Sequence, residues 1–191
     1  YLYLRDDTDV QNSYEASQSV LGAYGMVNFA PTERLKLNGG LRMEATDMLL
    51  ESDKLQDEDL LPELADNFRG SLNVVDLLPS LNMTLKLAEE DLRVTNYRFS
   101  ASQSVARPLF REKAPYSVFD FEIQEQQTGN TALNRTKILN IDNRLEVFPG
   151  LRELLSLSAF YKHFTDPIEQ VIISTAANTE IPWKNVEQAQ L

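Results

Sequence analysis

Alternation of apolar and polar residues with a period of two is the feature that most restricts the fold of this chain. In residues 34–46 one parity carries Leu35, Leu37, Leu41, Met43 and Ala45, and the other carries Lys36, Asn38, Arg42, Glu44 and Thr46. Successive side chains of an extended strand point to opposite faces. The segment is therefore predicted to be a β-strand with one apolar and one strongly polar face.

The same alternation recurs along the chain. It is clear in 77–87 and 137–148, and weaker in 19–29, 92–105, 155–164 and 169–174. Within 92–105 the apolar parity changes between Val94 and Tyr97, which indicates either a β-bulge or a different register. Helical periodicity is confined to the acidic stretch 57–67, with room for one or two turns. The sequence predicts an all-β fold of antiparallel up-and-down strands.

Short and long connections alternate between these strands. The short ones are at 30–33, 88–91 and 149–150, and the long ones at 51–76, 108–136 and from 165 onward. Outer-membrane β-barrels show this asymmetry, and strands of ten to thirteen residues tilted by ~40° match their apolar band of ~25 Å. Strands of soluble sandwiches are usually shorter. A sandwich would nevertheless show the same alternation, with its apolar face on a protein core.

Composition excludes several classes of function. The chain of 191 residues has 18 Lys and Arg against 29 Asp and Glu, a formal net charge of −11, which opposes binding to nucleic acid. No cysteine is present, so thiolate catalysis and Cys-ligated zinc are excluded. The single histidine, His163, cannot form a multi-histidine metal site and is expected to be structural. No catalytic spacing is evident, and we expect no enzyme activity, metal or cofactor.

Two further features of the sequence concern transmembrane helices and the ends of the chain. No run of 18 apolar residues is present, so no transmembrane helix is expected. The chain starts at Tyr1 without a targeting segment, and its alternation continues to Leu191. We therefore expect residues 1–191 to be a fragment of one domain.

Several segments in a fixed order carry a family resemblance. They are 21–46, 77–87, 92–116, 128–149 and 154–171, with the succession Ala106-Arg107-Pro108, Gly129-Asn130 and Leu133, Phe160-Tyr161-Lys162, Pro167-Ile168-Glu169. This order and spacing resemble the C-terminal part of the barrel domain of TonB-dependent outer-membrane receptors. The chain departs from the family pattern at Thr131, where Pro is common, and in the longer stretch 96–99.

The resemblance implies a fold and a function for the parent protein. It implies a fragment of a 22-stranded barrel, an open curved sheet that lacks the N-terminal plug. The implied function is import of a scarce nutrient across a Gram-negative outer membrane: an iron chelate, haem, cobalamin or an oligosaccharide. The implied partners are the plug of the same parent chain, the TonB complex through the missing N-terminal part, outer-membrane lipid and the substrate. The alternative from another class is a soluble β-sandwich that binds a ligand or carbohydrate.

Candidate binding residues fall into two sets. Those expected to face the lumen and the plug share the polar parity: Lys36, Asn38, Arg42, Glu44, Asn140, Asp142, Arg144, Glu146 and Lys162. Alternatively, they form a solvated face. Aromatic residues of the long connections would stack on a ligand, or pack within their own loops: Tyr116, Phe119, Phe121 and Trp183. The acidic stretch 51–66 would attract a cation, but it lacks the spacing of a calcium loop.

Overall fold

Six long antiparallel strands, joined in chain order, build the main sheet. The computed structural model describes residues 13–53, 67–90, 93–120, 125–150, 152–174 and 179–191. The long strands are β1 (Tyr14–Thr32), β2 (Leu35–Ser52), β3 (Arg69–Glu90), β4 (Arg93–Ala106), β7 (Thr136–Gly150) and β8 (Glu153–Thr165). With the short β12 (Gln188–Gln190) they form a seven-stranded sheet in the order β1-β2-β3-β4-β7-β8-β12. This open, up-and-down sheet confirms the predicted fold class.

A second, smaller sheet is built from the two long connections that follow β4 and β8. The first connection contains α1 (Phe110–Lys113), β5 (Ser117–Asp120) and β6 (Glu125–Thr128). The second contains β9 (Ile168–Gln170), β10 (Ile173–Ser174) and β11 (Thr179–Asn185). The strand order is β10-β11-β6-β5, with β9 also paired to β11.

The register of the main sheet separates an apolar face from a polar face. Directly opposite residues share a face, and the row Phe29, Leu37, Met83 and Phe99 lies on the apolar one. Large side chains on this face are exposed, among them Leu21 (77%), Leu157 (73%) and Leu155 (70%). A soluble sandwich would bury such a face against a second layer, whereas lipid would cover it in a barrel.

The apolar face has a defined height. On β2 its apolar positions run from Leu35, opposite Leu85, to Ala45, opposite Val75. The next residue on this face is Asp47, which lies opposite Asn73. Ten residue steps of ~3.4 Å tilted by ~40° give a height of roughly 26 Å, close to the apolar band of an outer-membrane barrel.

The strands extend further than the alternation predicted. β3 begins at Arg69, so the long connection predicted at 51–76 is too long at its C-terminal end. Beyond the apolar band the pattern inverts: Leu72 and Val74 share the polar face with Asp76, while Ser71 and Asn73 face the other way. Because of this inversion, the alternation did not reveal where β3 begins. The possible helical stretch 57–67 lies almost entirely outside the described residues.

The irregularity predicted in 92–105 lies in the neighbouring strand. β4 pairs with β7 without a shift from Val94 to Ala106. The pairing of β3 with β4 moves from Lys86–Asn96 to Ala88–Thr95, which leaves Leu87 as the extra residue. The apolar parity changes because Val94 lies on the polar face, opposite Phe148.

Candidate functional site

The polar face of the main sheet carries all nine residues that the sequence predicted to face a lumen. The sheet register aligns Asn38 with Asn82, Ser100 and Asp142, and it sets Asn140 opposite Lys162. Arg42 and Glu44 share the parity of Asn38, as do Lys36 on the same strand and Arg144 and Glu146 beside Asp142. Polar groups of five strands therefore meet on one surface.

A buried carboxylate organises the first charge cluster on this face. Arg42 Nε donates to Glu44 Oε1 at 2.6 Å, and Arg107 Nη2 donates to Glu44 Oε2. Arg107 Nε also donates to Thr46 Oγ1 at 2.8 Å. Arg107 directly follows β4, so its side chain reaches over β3 to contact β2. Because Glu44 is only 9% exposed, these two arginines supply the pairing that a buried carboxylate needs.

A second buried carboxylate lies beside the first. Asp76 is directly opposite Glu44, and its Oδ1 accepts a hydrogen bond from Arg135 Nε at 2.5 Å. The Asp76 and Arg135 side chains are both largely buried. Arg107 and Arg135 flank the connection between β4 and β7. The two ends of this connection are thus each held to the wall of the sheet by an arginine.

A further cluster lies nearer the tight turns. Arg98 Nε donates to Glu146 Oε2 at 2.9 Å, and Arg144 Nε forms an ion pair with Glu146 Oε1 at 3.1 Å. In contrast, the exposed Lys36 and Asp142 have no ion-pair partner among the described residues. The polar face therefore combines satisfied ion pairs with charges that are open to another part of a protein.

The connection between β4 and β7 folds back onto the polar face beyond the apolar band. Met48, Leu50 and Leu72 form a buried cluster there with Ala114 and Tyr116 of the connection. Tyr116 is 6% exposed, and its hydroxyl has no hydrogen-bond partner within the described structure. For this residue the geometry favours packing of the loop over direct contact with a ligand.

A buried lysine stabilises the same connection through hydrogen bonds. Lys113 in α1 is 1% exposed, and its Nζ donates to the backbone oxygens of Thr131 at 2.5 Å and Leu133 at 2.6 Å. Burial lowers the pKa of this amine from 10.5 to about 8, since the charged form loses its hydration. A neutral amine has two hydrogens, enough for these two acceptors.

A close backbone approach requires glycine at position 129. Gly129 N donates to Tyr116 O at 3.0 Å. A Cβ on Gly129 would lie 1.9 Å from the backbone oxygen of Ala114 and 3.0 Å from the Tyr116 ring. Its φ angle is not positive, so lack of space, rather than backbone conformation, excludes a side chain here.

The remaining aromatic candidates have different surroundings. Trp183 is half-buried in β11, and its backbone oxygen accepts a hydrogen bond from Asn130 Nδ2 at 2.9 Å. Phe119 belongs to β5, and Phe121 lies outside the described residues. His163 is partly buried and lies opposite Leu139 on the apolar face. Most of the acidic stretch 51–66 also falls outside the described residues. Among the described residues, no three His, Asp or Glu side chains lie close enough together to bind a metal ion.

Sequence reasoning missed the residues that hold the connection in place: Arg107, Lys113, Arg135 and Asp76. Arg107 belongs to the Ala106-Arg107-Pro108 motif, which carried the family resemblance but no assigned role. Asp76 was placed in a loop, so its position opposite Glu44 was hidden. Nothing in the local sequence distinguishes Lys113 from a solvated lysine.

Comparisons with known proteins agree with this geometry. The sequence model of the family described as TonB dependent receptor-like, beta-barrel matches residues 2–190. Among solved structures, the chain is similar to the siderophore receptor PirA from Pseudomonas aeruginosa, with a TM-score of 0.54 and 14% sequence identity. The match covers 92% of this chain and 38% of that receptor. No curated protein matches the chain.

Proposed function

This chain belongs to the TonB-dependent receptor-like β-barrel family, and we propose that it forms part of a receptor that imports a scarce nutrient across a Gram-negative outer membrane. The family comprises transporters and receptors of that membrane rather than enzymes. The observation that carries the proposal is the two-faced sheet. An exposed apolar band of roughly 26 Å suits lipid, and a charged face on the other side suits a lumen.

In this proposal the polar face contacts a plug domain of the parent protein. Lys36 and Asp142 are exposed charges, and ion pairs with a plug would compensate for removing them from bulk water. The pairs of Glu44 and Glu146 are already made within the wall, so these residues shape the lumen. The TonB complex would act through the plug, and outer-membrane lipid would cover the apolar band.

The long connections are the proposed ligand-capturing parts. They lie at the end of the sheet opposite the tight turns, which in this family's architecture is the extracellular end. Trp183, Phe119 and Phe121 remain candidates for stacking on a ligand. The candidate ligands are an iron chelate, haem, cobalamin and an oligosaccharide. The similar solved structure is a siderophore receptor, which supports an iron chelate as the first ligand to test.

Membrane fractionation tests the proposed location. We expect the intact protein to remain in the outer-membrane fraction after washing with high salt and with carbonate, because these treatments remove peripheral proteins but not strands buried in lipid. Retention should be followed by uptake measurements with iron chelates. Release by either wash would contradict the receptor proposal.

A further inference from the structure

The two long connections share one hydrogen-bonded sheet although they are far apart in sequence. We call the described parts of the two connections, residues 107–120, 125–136, 165–174 and 179–187, together the two-loop unit. β6 of the first connection pairs in parallel with β11 of the second, with Gln126 opposite Glu180 and Thr128 opposite Pro182. β11 then pairs with β9. β11 of the second connection therefore pairs with strands from both connections.

Asn130 links three parts of the unit. Its backbone N–H donates to Glu112 O in α1 at 2.8 Å, and its side-chain Nδ2 donates to Trp183 O in β11 at 2.9 Å. Its Oδ1 accepts from the Ala132 N–H at 3.0 Å. A single side chain thus joins the turn after β6 to a strand of the other connection.

Asn185 makes the reciprocal link at the base of the unit. Its Oδ1 accepts from the Asn134 N–H at 2.8 Å, and its Nδ2 donates to Asn134 O at 3.1 Å and to Asp166 O at 2.8 Å. Asp166 O also accepts from Thr136 Oγ1 at 3.0 Å. Asp166 has a positive φ of 55°, and these bonds to its carbonyl hold that turn. The side chain of Asn185 has its full set of partners in both connections.

Side-chain contacts fix the first connection to the wall of the main sheet. Arg107 and Arg135 bind the carboxylates of Glu44 and Asp76, and Tyr116 packs into the buried cluster on β2 and β3. The second connection leaves the main sheet at β8 and returns to it at β12, and it is joined to the first connection through β11 and the two asparagines. Because β6 and β11 belong to one hydrogen-bonded sheet, we expect loss of the asparagine contacts between the two connections to loosen both of them.

We propose that the two connections open and close as one cooperative unit, with Asn130 and Asn185 as the residues that couple them. A ligand held by either connection then restrains the other as well, because coupling between two sites is reciprocal. The part that concerns a ligand rests on the proposed receptor function, whereas the coupling itself does not. Capture by aromatic residues of one connection would order both sides of the entrance.

Hydrogen exchange of the intact protein in detergent micelles, without ligand, tests the coupling. Asn185→Ala should speed exchange of the Tyr116 and Gly129 amides in the first connection as well as Val171 in the second, by roughly tenfold. Asn130→Ala should speed exchange at Val171 and Val186 by a similar factor. Glu187→Ala is the matched control, since the Glu187 side chain is exposed and makes no described hydrogen bond.

The pattern of exchange decides the outcome. Faster exchange confined to the connection that carries the substitution would overturn the proposal, even if the protein is fully functional in uptake. Asn185→Asp covers the case in which the alanine variant does not fold. It keeps the acceptor for Asn134 N–H but loses the donor to Asn134 O and Asp166 O, so faster exchange is again expected in both connections.

Discussion

At the scale of single residues, the protonation of Lys113 should make the stability of the docked connection between β4 and β7 depend on pH. Its pKa is lowered to about 8 in the folded protein and returns to about 10.5 when the loop opens into water. Between these values the open state binds a proton that the docked state lacks. Stability of the docked loop therefore rises with pH through this window, and below pH 8 the full cost of burying the charge applies.

Protection factors from hydrogen exchange measure this effect, because they remove the intrinsic pH dependence of exchange. For the Tyr116 and Gly129 amides we expect protection to rise by up to about tenfold per pH unit between pH 8 and 10. Lys113→Met should remove this rise, since methionine has a similar length and no charge. A rise that persists in Lys113→Met would contradict the assignment.

At the scale of elements, the strands inside the apolar band were predictable and the connections were not. Within this band, every second residue of β2, β3 and β7 lies on the apolar face, so the alternation is readable without knowing any partner. Beyond the band, Leu72 and Leu50 lie on the polar face, where Ala114 and Tyr116 of the connection cover them. Ala114 and Tyr116 are distant in sequence from Leu50 and Leu72, so a local sequence pattern cannot predict this contact. The arginine contacts to Glu44 and Asp76 were hidden for the same reason.

Gly129, directly after β6, allows the backbone to approach Ala114 and Tyr116 closely. We expect Gly129→Ala to destabilise the docked connection by about 1–3 kcal/mol, because the added methyl would overlap the Ala114 carbonyl and a buried backbone cannot easily shift. Trypsin cleavage after the exposed Arg111 in the intact protein should become roughly tenfold faster or more. Gly25→Ala is the control, since nothing lies within 4 Å of its added Cβ. Equal cleavage in the two variants would show that the approach at Gly129 relaxes without cost.

At the scale of the whole molecule, the main sheet has one apolar face and one polar face. Its apolar face is exposed on β1, β3 and β8 alike, while the opposite face carries the ion pairs and the two-loop unit. The chain spans 38% of the similar siderophore receptor, and its described main sheet is open rather than closed into a barrel. The division between the faces alternates residue by residue, and neighbouring positions can be tested separately.

Leu81 and Asn82 form a matched pair for this test. They are adjacent on β3 and both exposed; Leu81 lies in the central row of the apolar band opposite Gly39, and Asn82 lies on the polar face opposite Asn38. Leu81→Arg should lower the free energy of unfolding of the intact receptor in lipid bilayers by ~2–4 kcal/mol, since the guanidinium would enter the hydrocarbon core. Asn82→Arg places the same charge beside water and should cost much less. Denaturant titrations of both variants measure the difference, and equal losses would mean that lipid does not cover the apolar face.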